Sequence, residues 1–354
     1  MTTTITASTP SAQAPAAASL MDYLPKGPVN LLKQQSWFVA LSALLLIPSM
    51  VFMVLLALQQ PNHAPLKLGI DFTGGTLVEM AFEKPLTAKD TTAIQTVVAQ
   101  AGFDGAVVQL QSAHDALTPP NAPAAVGQPA KKSHQPSNQV ATLRTAPLPS
   151  GAMTTISQGI TQQVGPFTLL QKTAIGPTLA TELLTNGLLA LVAAYVLIVG
   201  FLTFRFQLDY AVCAILALIH DTVFVLGVFA ALGYLYGVEV DGLFITAILT
   251  VVGFSVHDTI IVFDRIRENL RLFYSKKLPF AQIVDISINQ TLGRSINTSV
   301  TALLPMVTLY LFGGESTRWF TFALIIGITA GTYSSIWVAS LLLVWWRTRN
   351  APAS

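Results

Sequence analysis

The chain has 354 residues, 52% of them hydrophobic and only 10% charged, with a formal net charge of +2. Soluble domains carry about 25% charged residues, so the composition excludes an ordinary soluble enzyme and points to an integral membrane protein. The single cysteine, Cys213, lies in an apolar run and rules out an intrachain disulfide.

Residues 1–36 read as a disordered cytoplasmic N-terminus; the first 20 are rich in Ala, Ser, Thr and Pro, carry no charge and fit a disordered tail. A spanning helix needs about 20 apolar residues, and six segments meet that length: 37–58, 184–204, 210–233, 242–263, 296–312 and 319–346. The first is too long for a signal-peptide core and lacks an A-x-A site after it, so it reads as an uncleaved anchor. Between it and the second lies the segment 59–183. There "GGTLVEMAF" (74–82), "GAVVQLQ" (105–111), "QVATLRT" (139–145) and "FTLLQKTAI" (167–175) read as strands, and "TAKDTTAIQTVVAQAG" (87–102) as a capped helix. The expected fold is an α-helical membrane protein with six transmembrane helices and a small α+β, ferredoxin-like extracytoplasmic domain. A Pro- and Ala-rich insertion at 115–137 interrupts that domain.

Short-loop Lys and Arg set orientation. Lys26, Lys33, Arg205, Arg265, Arg267, Arg271, Lys276, Lys277, Arg294, Arg347 and Arg349 fall on one side of the six spans, whereas the opposite short loops hold only Arg318. Both termini are expected in the cytoplasm and the 59–183 loop outside. Residues 184–346 form a five-helix bundle interrupted by a cytoplasmic segment, 264–295, and 347–354 form a tail. Within that segment Phe280, Ile283, Val284, Ile286 and Ile288 suggest an amphipathic helix along the membrane surface.

Two echoing stretches, "IHDTVFV" and "VHDTIIV", place Asp221 and Asp258 inside consecutive spans. An Asp at a helix centre costs about 2.5–3.5 kcal/mol, so such acids face a bundle interior and mark ion pathways or polar packing. Asp258 is the candidate proton carrier, and Asp221 a relay or a packing residue. Arg294 opens the fifth span with Asn297, Thr298 and Thr301 on one helical face. It either pairs with Asp258, so that a proton arriving there frees it, or snorkels to the interface. Imidazole as a group exchanges protons near neutral pH, so a relay role is considered for His220 and His257. In "GIDFTGGT", Gly69, Asp71, Gly74 and Gly75 suit a rigid turn between membrane and outer domain, and the ending lacks the Lys of a phosphate loop. "FGGES" suggests a turn and "GITAG" close helix contact. No nucleotide site, metal cluster or nucleophile triad is visible, so no hydrolase, metal or cofactor is expected.

At "GIDFTGGT", "HDTIIVFDRIREN" and "TLYLFGGE…IGITAGTYSSIWVA" the chain resembles the SecF members of the SecD/SecF family, part of the resistance-nodulation-division superfamily. The resemblance implies a subunit that works with SecD at the SecYEG channel and uses the proton-motive force to draw preproteins outward across the bacterial inner membrane. It adds YajC and YidC as associated proteins, no nucleic acid, and protons as the coupling ion. It places the family's fourth-span acid at Asp258 and its fifth-span basic residue at Arg294. The family often has Asn where this chain has His257, and SecD supplies a further carboxylate. Two other readings remain open: a half-size exporter of lipids or small molecules from the same superfamily, and a non-conducting translocon scaffold. An intramembrane aspartyl protease would need Y-D, G-x-G-D and P-A-L motifs, which are missing around both acids.

Overall fold

The computed structural model describes residues 31–349, apart from Pro61, Glu83, Asp104, Gly105, residues 113–138, Ser150 and residues 275–277. The expected tail up to residue 30, the insertion at 115–137, Lys276, Lys277 and the final residues from 350 lie outside the described residues. The described residues open with α1 (Leu31–Gln59), which starts a turn and a half before the apolar run, so 31–36 are helical where a disordered N-terminus is expected from sequence. A short helix, α2 (Ile70–Thr73), then leads into the domain between the first two spans, the outer domain of the sequence expectation: β1 (Gly75–Phe82), α3 (Ala88–Gln100), β2 (Val107–Ser112), β3 (Gln139–Thr145), α4 (Ala152–Gln163) and β4 (Phe167–Ile175).

The strands form one sheet in the order β2-β3-β1-β4, every neighbour antiparallel. With a helix after β1 and another after β3, this is the split β-α-β arrangement of a ferredoxin-like fold. Alternation along β1 turns Val78, Met80 and Phe82 toward the helices, where they pack with Ile94, Val98, Leu143, Ile156 and Ile160. A capping box starts α3: Asp90 accepts from the Thr87 amide and hydroxyl, each at 2.6 Å. The helix α4 is absent from the sequence reading because "AMTTISQGITQQ" buries only Ile156 and Ile160, one turn apart. Gly159 lets it sit close on α3, since a Cβ there would lie 2.6 Å from a Val97 methyl.

Five more spanning elements follow: α5 (Pro177–Arg205), α6 (Leu208–Tyr236), α7 (Gly242–Leu272), α8 (Phe280–Phe312), and a last one made of α9 (Glu315–Tyr333), a π-helical turn (Ser334–Val338) and α10 (Ala339–Arg349). With α1 they make six helices long and apolar enough to cross a membrane. Pro177 starts α5 at the first helical position, where its missing N–H costs nothing. Their burial separates a centre from a rim: about half of the apolar window is buried in α6 (56%), α7 (50%) and the last element (56%), against 11%, 6% and 11% in α1, α5 and α8. Small residues let the central helices touch. Gly327 and Gly331 of α9 lie against Val251 and Ser255 of α7, and Gly227 of α6 against Ser49 of α1. The close contact expected from "GITAG" is therefore made on α7.

The stretch around Phe280–Ile288, expected to form a separate helix along the membrane surface, is instead continuous with the fifth span, while the residues from 264 extend the fourth. Residues 264–272 complete α7, and 280–295 are the first half of the 33-residue α8. Its apolar face is real, but Val284 and Ile288 pack into the bundle core beside Val262, Phe263 and Ile266. That core supplies the apolar partner for which a membrane surface was invoked.

Candidate functional site

Asp258 sits on the buried side of α7, with 3% of its surface exposed. The Ser295 hydroxyl of α8 donates to its Oδ1 at 2.7 Å, and Oδ2 has no hydrogen-bond partner among the described residues. A buried carboxyl oxygen without a donor is costly when charged, and it is also where a proton can be placed without displacing another bond. His257, one residue back, is on the exposed side of the same helix. The 100° step between neighbours separates the two, so His257 makes no hydrogen bond to Asp258 among the described residues.

Asp221 on α6 lies in the opposite circumstance. Its Oδ2 accepts from Ser255 of α7 and Ser334 of the π-turn, both at 2.6 Å, and its Oδ1 lies 3.0 Å from Nδ1 of buried His220. Ser335, next along the π-turn, reaches the Ser255 carbonyl at 3.1 Å and the Thr259 hydroxyl at 2.8 Å. Ser334 and Ser335, both on the π-turn, are both buried. Three elements thus meet at one carboxylate. The Nε2 of His220 is buried with no partner among the described residues, and its ring lies 6.3 Å from that of Tyr333.

Arg294 does not reach Asp258. It is exposed on the outer face of α8, with no ion pair among the described residues, and Asn297, Thr298 and Thr301 are exposed alongside it. The hydroxyls of Thr298 and Thr301 turn back to the carbonyls of Arg294 and Asn297 at 2.9 and 2.6 Å. The face of α8 that enters the bundle carries another polar series, Ser287, Thr291, Ser295 and Ser299, all buried at intervals of four. Ser299 continues it to Thr332 of α9 at 2.5 Å. Sequence reading missed Ser295 although a signal was present: extending the apolar face of Ile283, Val284 and Ile288 by helical steps arrives at Ser295, not Arg294.

The glycine stretch docks on the loop between α6 and α7. The Gly69 amide donates to the Val240 carbonyl and the Val240 amide to the Lys67 carbonyl, both at 2.8 Å. Asp71 Oδ2 accepts from the Gly242 amide at 2.8 Å, at the first residue of α7. Gly74 and Gly75 have φ of 70° and 133°, which L side chains resist, and a Cβ on Gly75 would lie 2.7 Å from the Thr145 carbonyl oxygen. Arg144 of β3 closes the joint, bonding Glu239 of the loop at 2.5 Å and Thr73 at 2.6 Å. Asp241 caps α7 through the Phe244 amide at 3.0 Å; burial pushes its carboxyl above the usual range, opposed by that bond.

The SecD/SecF C-terminal pattern of protein-export membrane proteins matches residues 156–349, and the SecD/SecF GG motif matches residues 63–86. The protein translocase subunit SecF of Thermobaculum terrenum is 38% identical over 329 residues, covering 91% of this chain and 95% of that one. That of Synechocystis sp. is 36% identical over 327 residues, covering 90% and 94%. The crystal structure of SecDF from Thermus thermophilus, a translocon-associated membrane protein, superposes with a TM-score of 0.72 at 30% identity. That match covers 91% of this chain but 39% of the SecDF chain. By the family patterns and by these relatives, the chain belongs to the SecF side of the SecD/SecF family of protein-export membrane proteins.

Proposed function

We propose that the chain is the SecF-type subunit of a protein-export machine and couples proton movement to late preprotein translocation, with Asp258 as the group that takes and releases the proton. The observation that carries this reading is the Asp258 carboxyl, buried on α7 with one oxygen bonded to α8 and the other unpartnered among the described residues. A proton on Oδ2 turns an acceptor into a donor and changes what α7 and α8 offer each other. Because α7 begins at the Asp71–Gly242 bond, a shift of α7 is passed to the joint beneath the outer domain. One charge moved through 100 mV provides about 2.3 kcal/mol, comparable to breaking one or two hydrogen bonds.

A SecD-type partner fits the exposed polar face of α8 and the exposed His257 of α7, since polar groups left against lipid are costly. The solved SecDF chain, of which this chain matches 39%, supports a partner on that scale. Arg294 then answers a carboxylate of the partner in place of Asp258. The short-loop Lys and Arg support cytoplasmic termini and an external β1–β4 domain. SecYEG, preproteins, YajC and YidC enter as partners through the family resemblance.

The test uses the assembled complex in vesicles with an imposed proton gradient. Asp258→Asn should leave assembly intact and remove the gradient dependence of translocation. Equal stimulation of variant and parent by the gradient would sink the coupling reading and leave a scaffold.

A further inference from the structure

At the end of the bundle away from the outer domain, the last turns of α5 and α7 border an open cavity of about 440 Å³ lined by Arg205, Asp264, Arg267, Glu268, Arg271 and Leu272. Its charges do not cancel. Asp264 is taken by Arg205 at 3.3 Å, and Glu268 by Arg265, from outside the cavity lining, at 2.7 Å. Among the described residues Arg267 donates only to the Arg205 backbone carbonyl, at 3.3 Å. Arg271, one turn further along α7, has no ion pair among the described residues. Arg267 and Arg271 thus make no ion pair among the described residues, and although Asp264 and Glu268 share the lining, the cavity keeps an excess of positive charge. The fold does neutralise an arginine at the same end of the bundle: Arg347 bonds Asp209 at 2.6 Å and lies over the rings of Tyr210 and Phe280.

The cavity opens beside apolar surface. Leu197 and Phe201 precede Arg205 by two turns and one turn on the same ridge of α5, and are 72% and 51% exposed. Phe204, in the last turn of α5, is 93% exposed. Guanidinium groups bind phosphate oxygens in paired hydrogen bonds, and basic pockets at the ends of spanning helices suit anionic headgroups. A free phosphate ion would use the arginines alone. A phospholipid uses the arginines and the ridge together, and α5 is the least buried of the spanning helices.

We propose that this cavity holds the phosphate of an anionic phospholipid, of the phosphatidylglycerol type, with an acyl chain along Leu197 and Phe201. The site gives a use to the charged stretch "DRIREN", which the proton step at Asp258 leaves without one, and it does not depend on that step.

The full chain in mild detergent is mixed with phosphatidylglycerol, with phosphatidylcholine or with inorganic phosphate; bound lipid is read by native mass spectrometry and protection by thermal melting. The parent should retain phosphatidylglycerol over phosphatidylcholine and melt higher with it, while inorganic phosphate at the same concentration gives no comparable rise. R267Q/R271Q should lower retention by roughly tenfold or more, as expected for two basic groups near an anionic headgroup. R267K/R271K should keep most of it, and R349Q, which removes one charge elsewhere on this end as R271Q does beside the cavity, should keep all of it. If the glutamine pair does not fold, R271Q alone, at an exposed position, should still cost severalfold. Unchanged retention in the glutamine variants, an equal loss in R349Q, or equal protection by inorganic phosphate would overturn the proposal.

Discussion

Asp221 and Asp258 stand at matching places in two similar stretches of consecutive helices, each after a histidine, and both are almost fully buried. Their surroundings nevertheless differ in kind. Asp221 is bonded by two serines and approached by His220, so each oxygen is occupied and α6, α7 and the π-turn are tied together. Asp258 has one serine and a free oxygen. The cause lies in the helices around them. α6 is enclosed by α1, α7, α9 and the π-turn, so both His220 and Asp221 find neighbours. α7 turns one side to α8 and α9 and leaves the other, with Gly253 and His257, uncovered. A carboxylate with every oxygen engaged suits holding helices together, and one with a vacant lone pair suits exchanging a proton. The same residue type in the same local sequence thus serves different ends according to the number of donors that reach it.

The largest expected effect on stability belongs to Asp221. Asp221→Leu strips partners from Ser255, Ser334 and His220 at once, and a buried polar group left unpaired costs about 1–3 kcal/mol, so the complex should melt markedly lower. Asp258→Asn, by contrast, should change melting by about 1 kcal/mol or less while removing gradient-driven translocation. Equal melting losses in the two variants would erase the distinction. Next in size, Ser295→Ala removes the donor to Asp258; it should cost about 1 kcal/mol of stability and slow translocation, whereas Thr298→Ala, on the outer face of α8, should leave the melting of the isolated subunit unchanged.

The histidines sharpen the contrast further. His220→Ala, which opens a buried site beside Asp221, should cost about 1–3 kcal/mol. His257→Ala should stay within about 0.5 kcal/mol in the isolated chain, as surface substitutions do. The smallest effect is a control outside the membrane. The Thr87 hydroxyl, and next its amide, hold the Asp90 carboxyl below its ordinary value of 3.8. Its contribution to the start of α3 is therefore complete above pH 3.8 and is lost as pH falls through the lowered value in the folded state. Asp90→Asn should weaken that acid-side dependence in amide exchange of α3 without altering translocation near neutral pH.

Much of the architecture was legible because its signals are local. The apolar runs define the spans, and alternation in "TLVEMAF" with the capping box at Thr87 defines the start of the outer domain. The helix α4 was not legible, because two isoleucines in a polar stretch acquire meaning only once α3 lies beside them. For the site, sequence located Asp221 and Asp258 but could not say which way their neighbours turn. His220 and His257 look alike in the chain and differ through what packs on α6 and α7. Arg294 drew attention as the charged residue, yet its neighbour Ser295 makes the contact, since one residue is 100° of helix. The periodic hydroxyls Ser287, Thr291, Ser295 and Ser299 were readable in principle, had the apolar face of early α8 been continued through them. The face bearing Arg294 remains uncovered within this chain, and its partner lies on another polypeptide in the proposed assembly.

The most direct measurement is infrared difference spectroscopy of the reconstituted complex through a pH step, following the carbonyl stretch of protonated carboxyl groups. The account predicts a band that appears and disappears in the parent, persists in Asp221→Asn and is missing in Asp258→Asn. A band unchanged in Asp258→Asn, or lost only in Asp221→Asn, would contradict the assignment of proton exchange to Asp258.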